Sequence, residues 1–320
     1  MFQPDPRSRY TVLTALRRRP QDKLPFRPLR VEDIPAIAPY LSQAQTRTCD
    51  FTIGGLLMWA DYFSYSYAIY RDTLFIKGVA EDDVTRTAFS IPVGKMPLQD
   101  SVALLREYCE ATGCLPLEFS AVPEVYVDPL RLLGARRVDP LDDWSDYLYE
   151  APALASLTGK KLSKKRNHVN RFASDNPDYR FEPLTPAILP AVREFYHNSV
   201  MADGKPALAE IERVQVMNVL DRYSEYPFTG AVLSTGANGI VAFTIGEVIG
   251  DTLYVHIEKM NHGIAGAGET VNKLFAARML EENPTLRYIN REEAVGDPGL
   301  IHAKESYHPV MLLKKYNVIM

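Results

Sequence analysis

The stretch Phe26-Arg27-Pro28-Leu29, which is followed by Ile34-Pro35-Ala36-Ile37, occurs twice in this chain. Its second copy is Phe181-Glu182-Pro183-Leu184, followed at the same spacing by Leu189-Pro190-Ala191-Val192. Each copy is typical of a short strand, a turn and a helix that begins near a proline. The repetition indicates that the chain is built twice on one plan.

A second similarity supports this interpretation. Asp72-Thr73-Leu74-Phe75-Ile76 resembles Asp251-Thr252-Leu253-Tyr254-Val255, and each segment leads from an acidic residue into an apolar strand. We therefore predict an α/β (α+β) protein with two similar domains, residues 25–150 and 151–320, each a mixed central sheet flanked by helices. Residues 1–24, which include the basic run of residues 17–19, are expected to form a lead-in without a core.

The charge balance excludes a globally basic nucleic-acid-binding protein. The 320 residues carry a net charge of −4 and a pI of about 5.9, so contact with a polyanion requires a local basic patch. No apolar run approaches the roughly 20 residues that cross a bilayer. Three cysteines in a chain of this size are typical of a reducing compartment, which predicts a cytoplasmic protein. The histidine spacings match no common metal site, and we expect no metal.

The second half has the clearer order of elements, which we interpret as β-α-α-β-β-β-α-β-α-β. This order resembles the GCN5-related N-acyltransferase fold, in which a glycine-containing loop leads into a helix that binds the pyrophosphate of acyl-CoA. Gly266 and Gly268 match the end of that loop and are the predicted cofactor-binding residues if acyl-CoA is the donor. Gly263 stands where the loop usually has Gln or Arg, so a turn that only begins a helix is the alternative interpretation.

Three longer motifs carry a resemblance to a known family. They are the basic run from Gly159 to Phe172, His256-Ile257-Glu258-Lys259, and Tyr288-Ile289-Asn290-Arg291-Glu292-Glu293 with Lys304 and Ser306-Tyr307 downstream. Together they resemble the bacterial family related to the C-terminal domain of phosphatidylglycerol lysyltransferase, over nearly the whole chain from about Phe26. The resemblance implies two tandem GCN5-related N-acyltransferase-like domains.

The resemblance also implies a function, because membrane-bound relatives move an aminoacyl group from a charged tRNA to a lipid head group. The expected function is acyl or aminoacyl transfer, with aminoacyl-tRNA favoured over acyl-CoA as donor and an anionic lipid head group or another small molecule as acceptor. Ala294 stands where the family usually has a second acid, and Ile301-His302 stand where it has an Arg-Lys pair. These differences keep open a non-catalytic ligand-binding protein on the same scaffold.

A basic segment follows the predicted domain boundary. We expect residues 159–172 to form one helix capped by Thr158, with a cationic face suited to tRNA, a phospholipid head group or a CoA phosphate. The alternative is a solvated face at a junction between domains. The candidate polyanion-binding residues are Lys160, Lys161, Lys164, Lys165, Arg166 and His168.

A central strand that is covered on both faces should be nearly all apolar, but the strand Leu253 to Lys259 contains His256 and Glu258. Alternation predicts that Tyr254, His256 and Glu258 share one side of the sheet. A carboxylate can accept the proton of an attacking amine or hydroxyl, so Glu258 is the candidate catalytic base, with His256 as the second candidate. The alternative is an ion pair inside the sheet, with Arg291 or Lys304 as the partner.

Other candidate site residues come from the last motif. Arg291 is suited to a phosphate or carboxylate, and Asn290 with Glu292 to an α-amino group. Tyr307 is expected to be the general acid for the leaving group, because related acyltransferases often keep a tyrosine there. Lys304 and Ser306 complete the predicted substrate-binding set, although no His-Asp arrangement supports Ser306 as a nucleophile.

Overall fold

The computed structural model describes residues 20–200 and 207–320 and contains two mixed β-sheets with flanking helices. In chain order the strands are β1 (Arg27–Pro28), β2 (Ser66–Ile69), β3 (Thr73–Ala80), β4 (Asp83–Phe89), β5 (Val93–Gly94), β6 (Glu118–Pro123), β7 (Arg137–Pro140), β8 (Asp146–Glu150), β9 (Arg180–Pro183), β10 (Thr229–Thr235), β11 (Gly239–Ile249), β12 (Thr252–Met260), β13 (Tyr288–Asn290), β14 (Met311–Leu313) and β15 (Lys315–Ile319).

The α-helices connect these strands and cover the sheets. They are α1 (Pro20–Lys23), α2 (Ile34–Leu41), α3 (Ile53–Leu57), α4 (Leu98–Thr112), α5 (Val127–Leu132), α6 (Ala151–Ser156), α7 (Ser163–Asp175), α8 (Leu189–Val200), α9 (Ala207–Asp221), α10 (Ala267–Glu282) and α11 (Pro298–Glu305). None of the described helices is long and apolar enough to span a bilayer.

The two sheets have the same plan. The first has the strand order β1-β2-β3-β4-β6-β15-β7, with β5 paired to β3, and the second has the order β9-β10-β11-β12-β13-β8-β14. The repeated segments at Phe26 and Phe181 form the two equivalent edge strands, β1 and β9, and each leads into a helix, α2 or α8. This part of the repeat prediction is confirmed.

The second similarity does not mark equivalent strands. The segment at Asp72 leads into β3, the third strand from its edge, whereas the segment at Asp251 leads into β12, the fourth strand from its edge. The two segments share residue types because each contains a turn that leads into a buried strand, and this similarity is not evidence of a duplication.

The sheets exchange one strand each. Strand β8 precedes the second half in sequence but lies between β13 and β14, and the C-terminal β15 lies at the corresponding place in the first sheet, between β6 and β7. The expected division at residues 150/151 therefore does not coincide with the two sheets. Residues 1–19 of the expected lead-in, with their basic run, lie outside the described residues, whereas the side chain of Leu24 is 1% exposed and packs in the first core.

The parallel pair of strands positions the site. Strands β12 and β13 pair only from Thr252/Tyr288 to Tyr254/Asn290. Beyond this point β12 continues to Met260, while the chain after Asn290 leaves the sheet. The two strands therefore separate, and the polar residues that follow their pairing lie in the opening at the carboxyl end of β13. This is the position at which open α/β sheets commonly bind ligands.

The basic helix begins later than expected. Helix α7 starts at Ser163, whereas residues 157–162 form a loop in which Leu157 and Gly159 have left-handed backbone angles, with φ of 51° and 86°. Successive turns of an α-helix cannot include such angles. The predicted helix start at Gly159 with a Thr158 cap is wrong, and Lys160 and Lys161 belong to the loop.

Candidate active site

A β-bulge at His256 changes the predicted alternation. Strand β12 pairs Val255 with Gly246 but Ile257 with Ile245, so that one extra residue lies on β12. Val255 packs in the core beneath α10, whereas Ile257 packs in the core beneath α8 and α9. Because a bulge reverses the side-chain alternation beyond it, His256 and Glu258 lie on opposite faces. The prediction that they share one side is wrong.

His256 lies between two carboxylates in the interior. Its Nε2 atom is 2.9 Å from Glu247 and its Nδ1 atom is 2.6 Å from Glu292. Burial lowers the pKa of His256, but the two carboxylates outweigh burial and raise it to about 10. An imidazolium ring can donate from both nitrogens, whereas a neutral ring would place a lone pair against one carboxylate. His256 is therefore a charged, fully bonded residue.

Glu258 forms the ion pair that was the alternative to a catalytic base. Its Oε1 atom accepts a hydrogen bond from Arg291 at 2.7 Å, and its Oε2 atom accepts one from Asn272 on α10 at 3.1 Å. The side chains of Glu258 and Arg291 are 10% and 13% exposed. Both carboxylate oxygens of Glu258 thus have protein partners.

Tyr307 lies next to this ion pair. The Arg291 guanidinium is 4.9 Å from the centre of the Tyr307 ring, and the Lys165 ammonium is 4.2 Å from it. Burial raises the pKa of Tyr307, and Arg291 partly opposes that rise. Within the described residues, the phenol hydroxyl of Tyr307 has no hydrogen-bond partner. It is therefore a protonated donor that is free to bond a ligand.

A pocket of about 260 Å³ opens beside Tyr307. Aliphatic side chains line one part of it, Leu154, Leu162 and Val310 among them. The residues Glu150, Lys160 and Lys161 line another part. The pocket therefore combines an apolar surface with a tyrosine and two lysines, as small-molecule sites that add a few polar groups to an apolar lining typically do.

The predicted basic residues divide into two sets. Lys160, Lys161 and Lys164 are exposed and have no ion-pair partner in the described parts of the chain. Arg166 instead donates to the carbonyls of Leu157 and Gly159, at 2.7 and 3.3 Å, and so holds the loop that carries the first two lysines.

The remaining two basic residues contact an acid on another helix. Lys165 and His168 lie 3.4 and 3.2 Å from Glu269 in the first turn of α10. They therefore join α7 to α10, which leaves the three exposed lysines, of the six candidates, free for a polyanion.

Lys315 forms a second buried cluster that the sequence analysis missed. Its Nζ atom is 2.8 Å from Asp146, 2.9 Å from Asp50, 3.4 Å from Glu293 and 3.5 Å from the Cys49 thiol. Cys49, Asp146 and Glu293 place potential metal ligands within 4.8 Å of one another, but the ammonium group lies among them. A lysine within the apolar C-terminal strand was the available signal, because a buried lysine requires carboxylate partners.

The comparisons with known proteins agree with this architecture. The sequence pattern of the family "Phosphatidylglycerol lysyltransferase, C-terminal" matches residues 42–319. The chain belongs to this family. It is 30% identical to a conserved protein of unknown function from Bacteroides thetaiotaomicron, with a TM-score of 0.84 over 93% of this chain and 99% of that one.

More distant structures share the fold. L-PGS from Bacillus licheniformis is 15% identical with a TM-score of 0.61, over 89% of this chain and 91% of that one. FemX is 10% identical with a TM-score of 0.62, over 89% and 96% of the two chains. The predicted fold class, two mixed central sheets flanked by helices, is confirmed. An uncharacterised protein of Mycoplasmoides gallisepticum is 23% identical over 179 residues, which are 54% of this chain and 56% of that protein.

In this member of the lysyltransferase family, the glycine loop is covered by α7. A Cβ atom at Gly266 would lie 2.5 Å from the His168 carbonyl oxygen, and one at Gly268 would lie 3.0 Å from Met260. The first turn of α10 also carries the carboxylate of Glu269. An acid and a packed helix therefore stand where acyl-CoA pyrophosphate binding would require free N–H groups. The two glycines here permit close packing.

The other predicted substrate-binding residues are engaged within the protein. Asn290 donates to the Arg47 carbonyl and to Asp146, each at 2.7 Å, and accepts from the Glu292 amide. Lys304 donates to the carbonyls of Glu292 and Glu293. Ser306 donates to the Ala303 carbonyl at 2.6 Å. The contacts of Asn290 and Lys304 fix the chain that follows β13, and the contact of Ser306 closes the end of α11.

The two departures from the family pattern lie in apolar surroundings. Ala294 is 2% exposed within the core beneath α10, and Ile301 packs against the same cluster. A charged residue at position 294 would be buried and would require a partner.

Proposed function

We propose that this chain is an aminoacyltransferase that moves an aminoacyl group from a charged tRNA to a lipid head group or another small acceptor. The reacting ester lies in the 260 Å³ pocket beside Tyr307. The family name supports the class of reaction, because a lysyltransferase transfers an aminoacyl group.

One observation carries this proposal: a buried phenol without a hydrogen-bond partner faces a pocket beside unpaired lysines. A phenol whose pKa is raised by burial stays protonated and can act as a general acid at neutral pH. In the proposed step, the acceptor attacks the ester carbonyl and the bond to the ribose oxygen breaks. Tyr307 donates its proton to that leaving oxygen, and the proton that the acceptor loses returns through water to the phenolate.

The Glu258–Arg291 pair positions the acid in this proposal. Arg291 lies between the rings of Tyr307 and Tyr149, at 4.9 and 5.9 Å from their centres. Its charge favours the phenolate that forms transiently during the reaction. Glu258 holds Arg291 in place and acts through it, so in this assignment both are positioning residues.

The exposed lysines are assigned to the tRNA. Lys160, Lys161 and Lys164 lie at or near the pocket opening on the loop and first turn of α7. When ammonium groups contact phosphates, binding releases counterions from the nucleic acid. The free energy gained from this release falls as the salt concentration rises, so binding to the tRNA should weaken at high salt. A pocket smaller than the roughly 300–1,000 Å³ of drug-sized ligand sites suits the aminoacyl end of the donor, with the nucleotides outside.

The test is transfer of a radiolabelled aminoacyl group from charged tRNA to phosphatidylglycerol vesicles and to a bacterial lipid and metabolite extract. We expect transfer by the wild-type chain, and a loss of about 10²- to 10⁴-fold in rate for Tyr307→Phe because general acid catalysis contributes about that factor. Binding of charged tRNA should stay unchanged. Tyr316→Phe, on the first sheet, is the matched control.

Two results would contradict the proposal. Transfer from acyl-CoA with none from charged tRNA would assign a different donor. Saturable binding of either donor by the wild-type chain, without transfer to any component of the extract, would indicate a non-catalytic ligand-binding protein.

A further inference from the structure

Strand β14 is one outer edge of the second sheet. It pairs with β8 on one side, and within the described residues no strand pairs with its other side. The side chains of its Met311 and Leu312 are exposed, as is that of Val310 directly before it. A bare edge that carries exposed aliphatic side chains is a surface on which another strand can pair.

The other three outer edges of the two sheets are protected. Strand β1 contains Pro28, and β7 contains Asp139 and Pro140. Strand β9 contains Glu182 and Pro183, and each of these three strands begins with an arginine. Charged side chains and proline are the usual means by which proteins prevent pairing between sheet edges. Strand β14 contains only methionine and leucine, so it alone among the four edges lacks this protection.

The occupant of this edge must supply backbone hydrogen bonds as well as apolar side chains. The free side of a strand presents N–H and C=O groups, and lipid hydrocarbon offers no partner for them. A second β-strand bonds these groups and packs its own aliphatic side chains on those of β14. The edge therefore fits a strand better than a lipid surface.

The beginning of β14 lies in a positively charged region. His308 and Val310, which lead into the strand, line the same pocket as the basic loop before α7. The exposed charged residues around this end are three lysines without an ion pair in the described parts of the chain and two acids, namely Lys160, Lys161, Lys164, Glu150 and Glu305. Positive charge is therefore in excess here.

The end of β14 lies in a negatively charged region. The amide of Leu141 donates to the Lys315 carbonyl at 2.9 Å, which places the next residues, Asp142 and Asp143, beside this end. Both acids are exposed, and neither forms an ion pair with a described residue. Lys314 is exposed there too, so two acids stand against one lysine and negative charge is in excess.

We propose that β14 pairs antiparallel with β14 of a second copy of this chain, which joins the two seven-stranded sheets into one. This two-fold arrangement brings the positive beginning of each strand to the negative end of the other, and it sets aliphatic side chains against aliphatic side chains. A parallel pair would instead bring like charges together. Because His308 and Val310 line the pocket beside Tyr307, the second copy would also border that pocket. The dimer does not depend on the proposed transfer reaction.

Sedimentation equilibrium of the full chain over about a 100-fold range of concentration measures this association. We expect a reversible dimer. Met311→Lys should raise its dissociation constant at least about 10-fold, because two ammonium groups would meet within the apolar contact. Leu132→Lys, at an exposed leucine on α5, is the matched control and should keep the wild-type constant. Circular dichroism of both variants should match the wild type, which shows that the fold is intact.

A charge exchange tests the antiparallel orientation. The variant Lys160→Glu/Lys161→Glu and the variant Asp142→Lys/Asp143→Lys should each associate more weakly than the wild type, because like charges then meet at both ends of the pair. A mixture of these two variants should form dimers with one copy of each, since both ends then carry opposite charges. A fluorophore on one variant follows the mixed dimer.

Other results would overturn the proposal. A wild-type chain that stays monomeric over this range, or a dimer that Met311→Lys leaves unchanged, would show that β14 is not the interface. A mixture of the two charge variants that associates no better than either variant alone would contradict the antiparallel arrangement. A monomeric wild-type chain that binds phosphatidylglycerol vesicles, and loses that binding in Met311→Lys, would assign the edge to a lipid surface instead.

Discussion

At the scale of single residues, His256 joins both halves of the molecule. Glu247 accepts from the ring of His256 and also, at 2.8 Å, from the amide of Gly54 on α3. A Cβ atom at Gly54 would lie 2.4 Å from the His256 ring. The imidazolium is therefore enclosed by the other half, and its charge contributes to the stability of the whole fold.

The first prediction concerns the dependence of stability on pH. The pKa of His256 is raised from 6.5 to about 10 in the folded chain, so the folded state binds more protons above pH 6.5. The stability that protonated His256 contributes is therefore fully present below pH 6.5 and is lost as the pH rises toward 10. We expect the free energy of unfolding to fall between pH 7 and 8.5 by up to about 1.4 kcal/mol per pH unit.

Chemical denaturation at several pH values measures this slope. His256→Gln should be less stable at pH 7 and should lack the slope, because the ionised partners no longer have a titrating cation between them. His262→Gln, at an exposed position, should behave like the wild type. An unchanged slope in His256→Gln would show that His256 does not hold the extra proton.

The sequence identified which residues belong to the site better than it predicted how they are arranged. Polar residues in a buried strand marked His256 and Glu258, because each needs a partner in the interior. The identity of those partners depended on the bulge, which no local pattern announced and which turned the two side chains to opposite faces.

At the scale of elements, the packing of α7 on α10 decides which residues face a ligand. Gly266 begins α10 with φ of 81°, and its missing Cβ leaves room for the His168 carbonyl. Lys165, from the same side of α7, reaches the Tyr307 ring and Glu269. The position of α7 therefore determines both that the glycine loop is covered and which charged group lies against Tyr307, the proposed acid.

The second prediction tests this contact. Gly266→Ala should destabilise the chain more than Gly239→Ala, because both glycines have left-handed angles but nothing lies within 4 Å of a Cβ at Gly239. The shared backbone strain costs about 1–3 kcal/mol at such sites, and the contact with α7 adds to it only at Gly266. Denaturant midpoints compare the two variants, and equal losses would mean that α7 moves aside without cost.

Elements were more predictable than their boundaries. The predicted element order placed a helix after the glycine loop, where α10 lies, and its Val271, Phe275 and Met279 are buried. The start of α7 was placed four residues early, because a run of lysines has no apolar period that marks a helix end. The loop there depends on Arg166 and its two carbonyl contacts, which are visible only in three dimensions.

At the scale of the whole molecule, the exchanged strands make the two sheets dependent on each other. Strand β15 completes the first sheet, and its first residue, Lys315, meets carboxylates from three separate segments of the chain. Burial raises the pKa of Asp146 to about 6 even though Lys315 opposes the rise. The sequence repeat predicted two units, but a strand exchange preserves every local pattern and so could not be predicted from the repeat.

The last prediction is that Lys315 holds the exchanged arrangement together. Lys315→Met leaves Asp50, Asp146 and Glu293 buried without their cation, and removal of one partner from a buried ion pair costs about 3–5 kcal/mol. The loss should be larger at pH 8 than at pH 5. The pKa of Asp146 is already raised in the folded chain, so without Lys315 the folded state holds protons to still higher pH and loses stability as pH rises.

Urea denaturation at both pH values measures this, with the neighbouring exposed Lys314→Met as the control. Adding Asp50→Asn to Lys315→Met should recover part of the loss at pH 8, because it removes one buried negative charge. Equal losses at the two pH values, or no recovery, would mean that Lys315 acts only through its packing.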